Sequence, residues 1–161
     1  MATPRKRPLV LVVEDDPALG DVMLTALKDD GLDAKLAHDG DEAMRDVDDL
    51  SPSVMVLDLM MPKRDGFSVL RELRADGRIS HLPVIVVTAI FGMSERLYAT
   101  ELGAADYVTK PFELDDLISR VRALLSPTAQ HRHFGSGTSA GHGQYQPCGH
   151  PTPPASSRGS V

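Results

Sequence analysis

Three carboxylates, one hydroxyl and one amine stand at comparable places along this chain. Glu14 and Asp15 follow Leu9-Val10-Leu11-Val12-Val13, and Asp58 follows Val54-Met55-Val56-Leu57. Thr88 closes Val84-Ile85-Val86-Val87, and Lys110 follows Tyr107-Val108-Thr109. Brought to one place, Glu14, Asp15 and Asp58 would repel one another unless a cation sat among them, and a hard divalent ion with oxygen ligands is the natural partner. Mg²⁺ fits, because it accepts one or two carboxylates, keeps several waters and leaves room for a phosphate oxygen. A carboxylate held against such an ion can attack phosphorus to give an acyl phosphate. The charge on the transferred group then has to be neutralised. Lys110 can do this at one oxygen as a point charge, the metal at a second, and the Thr88 hydroxyl with the Ala89 backbone N–H at a third. Ala89 also leaves space for the incoming group.

These residues can meet only if the runs before them are parallel strands. Val54–Leu57 is too short for a helix and apolar on both faces, which predicts a central strand covered by helices on each side. Residues 9–13 and 84–88 read the same way. Leu32 to Ala37 alternates apolar with polar and predicts a strand at the sheet edge. Between the strands lie helical patterns. Asp16-Pro17 supplies a cap and a first turn for a helix with Leu19, Val22, Met23, Ala26 and Leu27 on one face, stopped by Gly31. Asp39-Gly40 opens a polar helix of about nine residues with Ala43, Met44 and Val47 inward. Phe67, Val69, Leu70 and Leu73 mark a third helix, Ser94 to Leu102 a fourth closed by Gly103, and Glu113 to Leu125 a fifth. Strand and helix alternating five times predict a doubly wound α/β fold with a five-stranded parallel sheet and five flanking helices, in which strand C-termini share one ligand-binding rim.

The totals narrow the function. The chain has 161 residues, 42% hydrophobic, only 4% aromatic and no Trp, so its core must be aliphatic. No apolar run approaches the roughly 18 residues that span a bilayer. The N-terminal Met1-Ala2-Thr3-Pro4-Arg5-Lys6-Arg7 is a basic extension without a signal-peptide core. Cys148 is the only cysteine, so no internal disulfide forms, and the expected location is cytoplasmic. Net charge is −6, and Arg132 and Arg158 are the only formal charges after Pro127, which leaves −8 on residues 1–126. So acidic a domain is a poor direct binder of nucleic acid. Residues 127–161 contain five Pro, six Gly and five Ser, a composition that predicts a disordered tail. Its Cys148-Gly149-His150 and scattered histidines fit no zinc-module spacing.

V-L-V-V-E-D-D at 10–16, V-M-V-L-D-L-M-M-P at 54–62, V-I-V-V-T-A at 84–89 and Y-V-T-K-P-F at 107–112 occur in that order. Thirty positions separate Asp58 from Thr88, and twenty-two separate Thr88 from Lys110. Over residues 8–126 the chain resembles the receiver domain of two-component response regulators, a flavodoxin-like fold with strand order 2-1-3-4-5. The resemblance implies that Asp58 is the phosphoacceptor, supplied by a histidine kinase or a histidine phosphotransfer protein. It implies that Asp15 is the main Mg²⁺ ligand, that Glu14 acts largely through water, and that the Met60 carbonyl is a backbone ligand. Thr88 and Lys110 would bind the phosphoryl group, Tyr107 would be the aromatic switch, and Lys110-Pro111 would be a cis peptide.

By the same resemblance, phosphorylation draws Thr88 toward the phosphoryl oxygens and Tyr107 turns inward. That would reshape the face of the fourth helix, fifth strand and fifth helix. On that face Arg96, Glu101, Asp106, Asp116, Arg120 and Arg122 resemble the alternating charges of two-fold receiver dimers. Met60 and Ile90 stand where the family tunes hydrolysis. Both are apolar and cannot orient a water by a side-chain hydrogen bond, so slow self-dephosphorylation is expected. Three alternatives remain. The chain could be the truncated N-terminal part of a DNA-binding response regulator. A flavin- or nucleotide-binding module is disfavoured by the acidic Glu14-Asp15-Asp16-Pro17 turn, where a phosphate loop needs glycine. A hydrolase with an Asp nucleophile would need a second Asp where Met60 stands.

Overall fold

The structure is a computed structural model and describes residues 7–126. The basic extension and the tail proposed for residues 127–161 fall almost wholly outside those residues. Five strands, β1 (Leu9–Val13), β2 (Asp33–Ala37), β3 (Val54–Leu57), β4 (Val84–Thr88) and β5 (Asp106–Thr109), alternate with five helices. The helices are α1 (Pro17–Asp29), α2 (Gly40–Leu50), α3 (Gly66–Ala75), α4 (Met93–Glu101) and α5 (Leu114–Leu125), with a single 3-10 turn at Arg78–Ser80. All strand pairs are parallel, and the order is β2-β1-β3-β4-β5, as the alternation and the resemblance predict.

Successive side chains of a strand point to opposite faces, so each apolar run feeds two cores. Leu11, Val13, Met55, Leu57, Val84 and Val86 face α2, α3 and α4 through Ala43, Val47, Val69, Leu70 and Ala99. Val10, Val12, Val54, Val56, Ile85 and Val87 face α1 and α5 through Met23, Leu27, Leu117 and Val121. The chain therefore leaves β1 toward one face and β3 toward the other, which opens a crevice between their C-terminal ends.

Several boundaries differ from the sequence expectation by one or two residues. Leu32 is not part of β2, because its N–H donates to the Leu27 carbonyl and wraps the end of α1. α2 runs eleven residues, from an Asp39 cap that accepts from the Glu42 N–H to Ser51 in a left-handed conformation. α4 starts at Met93 behind Gly92, and α5 at Leu114 behind Glu113. Asp16 is the N-cap of α1, accepting from the Ala18 N–H at 2.9 Å.

Candidate functional site

Strand register sets the rim. Val13 pairs with Leu57, Leu57 with Val86 and Thr88 with Thr109. The residues that follow β1, β3 and β5, and the last residue of β4, therefore lie side by side. Asp58 N–H still donates to the Val13 carbonyl at 3.0 Å, which anchors this residue to the sheet although the strand has ended. Glu14 is fixed in the same way by a bond from its N–H to the Ala37 carbonyl at 3.0 Å. Both are nearly sealed, with Glu14 2% and Asp58 4% exposed, while Asp15 is exposed.

Carboxylate oxygens of Glu14, Asp15 and Asp58 lie within 4.8 Å of one another. The Lys110 ammonium donates to Glu14 Oε2 at 2.7 Å and to Asp58 Oδ2 at 2.8 Å. The second oxygens are held by backbone: the Met60 N–H donates to Asp58 Oδ1 at 3.0 Å and the Asp16 N–H to Glu14 Oε1 at 3.1 Å. Burial raises the Glu14 pKa; the Lys110 hydrogen bond, the Asp16 N–H and the Lys110 charge pull it back, and the Asp58 charge adds to the rise. For Lys110, burial works against the ammonium, but its bonds to Asp58 and Glu14 outweigh that and lift its pKa above the usual lysine value. Three carboxylates against one ammonium leave the cluster acidic, and its all-oxygen donor set suits a hard divalent cation.

Thr88 is completely buried, and its Oγ1 accepts from the Ile90 N–H at 3.4 Å. Tyr107 is buried as well, and its hydroxyl donates to the Ile90 carbonyl at 3.0 Å. The Arg96 guanidinium lies 5.8 Å from its ring centroid. The inward position of Tyr107, expected only after phosphorylation, is thus the one the ring occupies in this structure. One residue, Ile90, joins through its backbone N–H and C=O the two residues that the sequence suggested as a switch. Backbone bonds of this kind leave no side-chain signature, and sequence reasoning missed this one. Lys110 follows a bond from its N–H to the Thr88 carbonyl at 2.8 Å, and the Lys110–Pro111 peptide is cis. Ala89 is exposed at the rim.

Sequence reasoning also missed what supports Asp58 from behind. A Cβ on Gly66 would lie 2.3 Å from the Asp58 carbonyl oxygen, so only glycine lets α3 start this close to the end of β3. The Asp65-Gly66 pair that opens the helix was the available signal. Arg64 ties the same loop to α2 and α3 through Asp41 and Glu72.

One expectation needs correcting. Arg122 does not share the α4–β5–α5 face: it pairs with Asp30 at the end of α1, while Arg120 pairs with Asp106 at 2.6 Å and Asp116 at 2.9 Å. Two residues apart on a helix means nearly opposite sides, so Arg122 points to the α1 flank.

A family model described as the response regulator receiver domain matches residues 10–122. The chain is 40% identical over 121 residues to the DNA-binding dual master transcriptional regulator RpaA of Synechocystis, covering 75% of this chain and 50% of that protein. It is 44% identical over 119 residues to the response regulator MprA of Mycobacterium ulcerans, covering 74% and 50%. The chain thus spans about half the length of the curated relatives it matches. Among solved structures, the receiver domain of the Francisella response regulator 1452 superposes with a TM-score of 0.68 at 38% identity, covering 73% of this chain and 95% of that one. The beryllofluoride-activated N-terminal receiver domain of Klebsiella pneumoniae RstA gives 0.67 at 28%, covering 73% and 97%. This chain belongs to the receiver domain family of two-component response regulators.

Proposed function

We propose that Asp58 accepts a phosphoryl group from the phosphohistidine of a histidine kinase or phosphotransfer protein. The observation that carries this reading is the sealed Asp58 carboxylate, held by Lys110 and the Met60 N–H beside two further acids. A carboxylate oxygen of Asp58 forms the new P–O bond while the P–N bond to the donor imidazole breaks and its electron pair stays on nitrogen. Lys110, already in contact with Asp58, follows the charge onto one phosphoryl oxygen, and the Thr88 hydroxyl and Ala89 N–H serve another. Asp15, Asp58 and the Met60 carbonyl, with Glu14 acting largely through water, would hold Mg²⁺, which would supply the remaining charge neutralisation.

Thr88 gives up its bond to the Ile90 N–H when it turns to the phosphoryl group. Ile90 is also what Tyr107 holds, so the change passes to α4 and β5 through that residue's backbone. We assign this output face a two-fold contact built on Arg96, Glu101, Asp106, Asp116 and Arg120. The exposed Met93 and Leu97, one turn apart on α4, supply its apolar centre. The acidic surface does not contact DNA itself. RpaA is described as DNA-binding and the match covers only half of it, which favours a second reading in which this receiver forms the N-terminal part of such a regulator. We place the reaction in the cytoplasm, where the lone Cys148 stays reduced. No helix among the described residues is long and apolar enough to cross a membrane.

The test uses radiolabelled phosphoramidate, which has the same P–N bond as phosphohistidine. The expected result is a label that needs Mg²⁺ and is released by hydroxylamine, as an acyl phosphate is. A label that persists in excess chelator, or resists hydroxylamine, would contradict the proposal.

A further inference from the structure

Six methionines lie among the described residues, and four of them, Met23, Met44, Met55 and Met61, are buried. The other two stand in solvent, Met60 at 60% and Met93 at 70% exposure. Met60 is unlike Met93 in one respect: its own N–H donates to Asp58 Oδ1 at 3.0 Å. Its sulfur, three bonds beyond that residue's Cα on an unbranched chain, is therefore solvent-exposed within one side-chain length of the Asp58 carboxylate and of the mouth of the site. As a thioether it offers a water at that mouth almost nothing, since sulfur here is a weak acceptor.

We propose that Met60 is a site of oxidation by peroxides and that its sulfoxide shortens the life of the phosphoryl group. This rests on Asp58 being the phosphoacceptor. In the first step the sulfur lone pair attacks one peroxide oxygen, the O–O bond breaks, and a proton passes from the new S–OH to the departing hydroxide. The products are the sulfoxide and water, with sulfur oxidised and peroxide reduced. The polar S–O group then accepts a hydrogen bond from a water at the mouth. That water attacks phosphorus, the P–O bond to Asp58 breaks with its electron pair returning to the carboxylate, and inorganic phosphate leaves. The surplus proton goes to solvent. One added hydrogen bond to the attacking water corresponds to about a fivefold faster loss. Methionine sulfoxide is reducible, so the effect is reversible.

The full chain is labelled at Asp58 with phosphoramidate after mild hydrogen peroxide treatment, the oxidised residues are mapped by mass, and loss of label is timed. Wild type and Met93→Leu should lose label about fivefold faster after oxidation, and Met60→Leu should not respond. Met60→Gln, polar without any oxidant, should be fast throughout. An unchanged or slower rate with the mass increase on Met60, a full response in Met60→Leu, or oxidation confined to Met93 would each overturn the proposal. A chain that takes no label at all before oxidation would instead sink the phosphoacceptor reading on which it rests.

Discussion

Lys110 holds Glu14 and Asp58 together, and the two carboxylates are not equivalent partners. Glu14 is the more deeply buried, and burial holds its pKa above the usual 4.5. The folded chain therefore keeps a proton that the unfolded chain releases. The sign follows: stability is greatest below the unfolded value and falls as pH rises through the interval just above it. Lys110 is raised too and has the same sign in a different window, its contribution complete below its usual 10.5 and lost only above that. In metal-free buffer, Glu14→Gln should remove the fall in stability expected in urea titrations as pH rises just above the usual 4.5, and should weaken Mg²⁺ binding. A variant whose pH profile matches wild type would show that burial of Glu14 carries no cost. The acids, Thr88 and Lys110 were legible because each ends an apolar run. The Ile90 link between Thr88 and Tyr107 was not, because it is made by backbone groups that every residue possesses.

The β3–α3 connection is the element that places Asp58, and it contains two unusual positions. Lys63 adopts φ 67°, a left-handed conformation that costs a non-glycine residue about 1 kcal/mol. Lys63→Gly should therefore stabilise the fold by a few tenths to about 1 kcal/mol in denaturant titrations, net of the entropy glycine loses. Gly66→Ala acts in the opposite direction. Its methyl group would meet backbone rather than a yielding side chain, so a loss of about 2 kcal/mol is expected. Labelling of Asp58 should fall with it, because the displaced atoms are those of Asp58 itself. A Gly66→Ala protein of wild-type stability would mean that α3 starts farther from β3 than the structure has it. The elements themselves were readable from period and punctuation: strands such as Val54–Leu57 are apolar on both faces, and Asp16-Pro17 announces α1. Their ends were less so, since Leu32 and Gly92 are placed by backbone bonds and caps that composition does not encode.

The five-stranded sheet gathers the acidic rim at one edge and leaves α4 lightly anchored at another, with Ala99 its only buried residue. Phe91, Met93, Leu97 and Tyr98 remain exposed there, beside charges of both signs. In this structure Arg120 spends its charge on Asp106 and Asp116 of its own chain, so a two-fold contact must exchange those partners for a neighbour's. Sedimentation with beryllofluoride and Mg²⁺ should show twice the monomer mass, and Leu97→Asp should abolish the doubling. Unchanged mass at high protein concentration would remove the dimer. The parallel sheet and both cores followed from alternation of strand and helix and the strand order from the family resemblance, whereas the orientation of Arg122 did not, because helix facing depends on which neighbour α5 packs against. The most direct measurement compares labelling of wild type and Asp58→Asn by phosphoramidate in Mg²⁺, with matching circular dichroism to show that both are folded. Label on the wild type and none on Asp58→Asn is the predicted result; equal label on the two proteins would contradict the account.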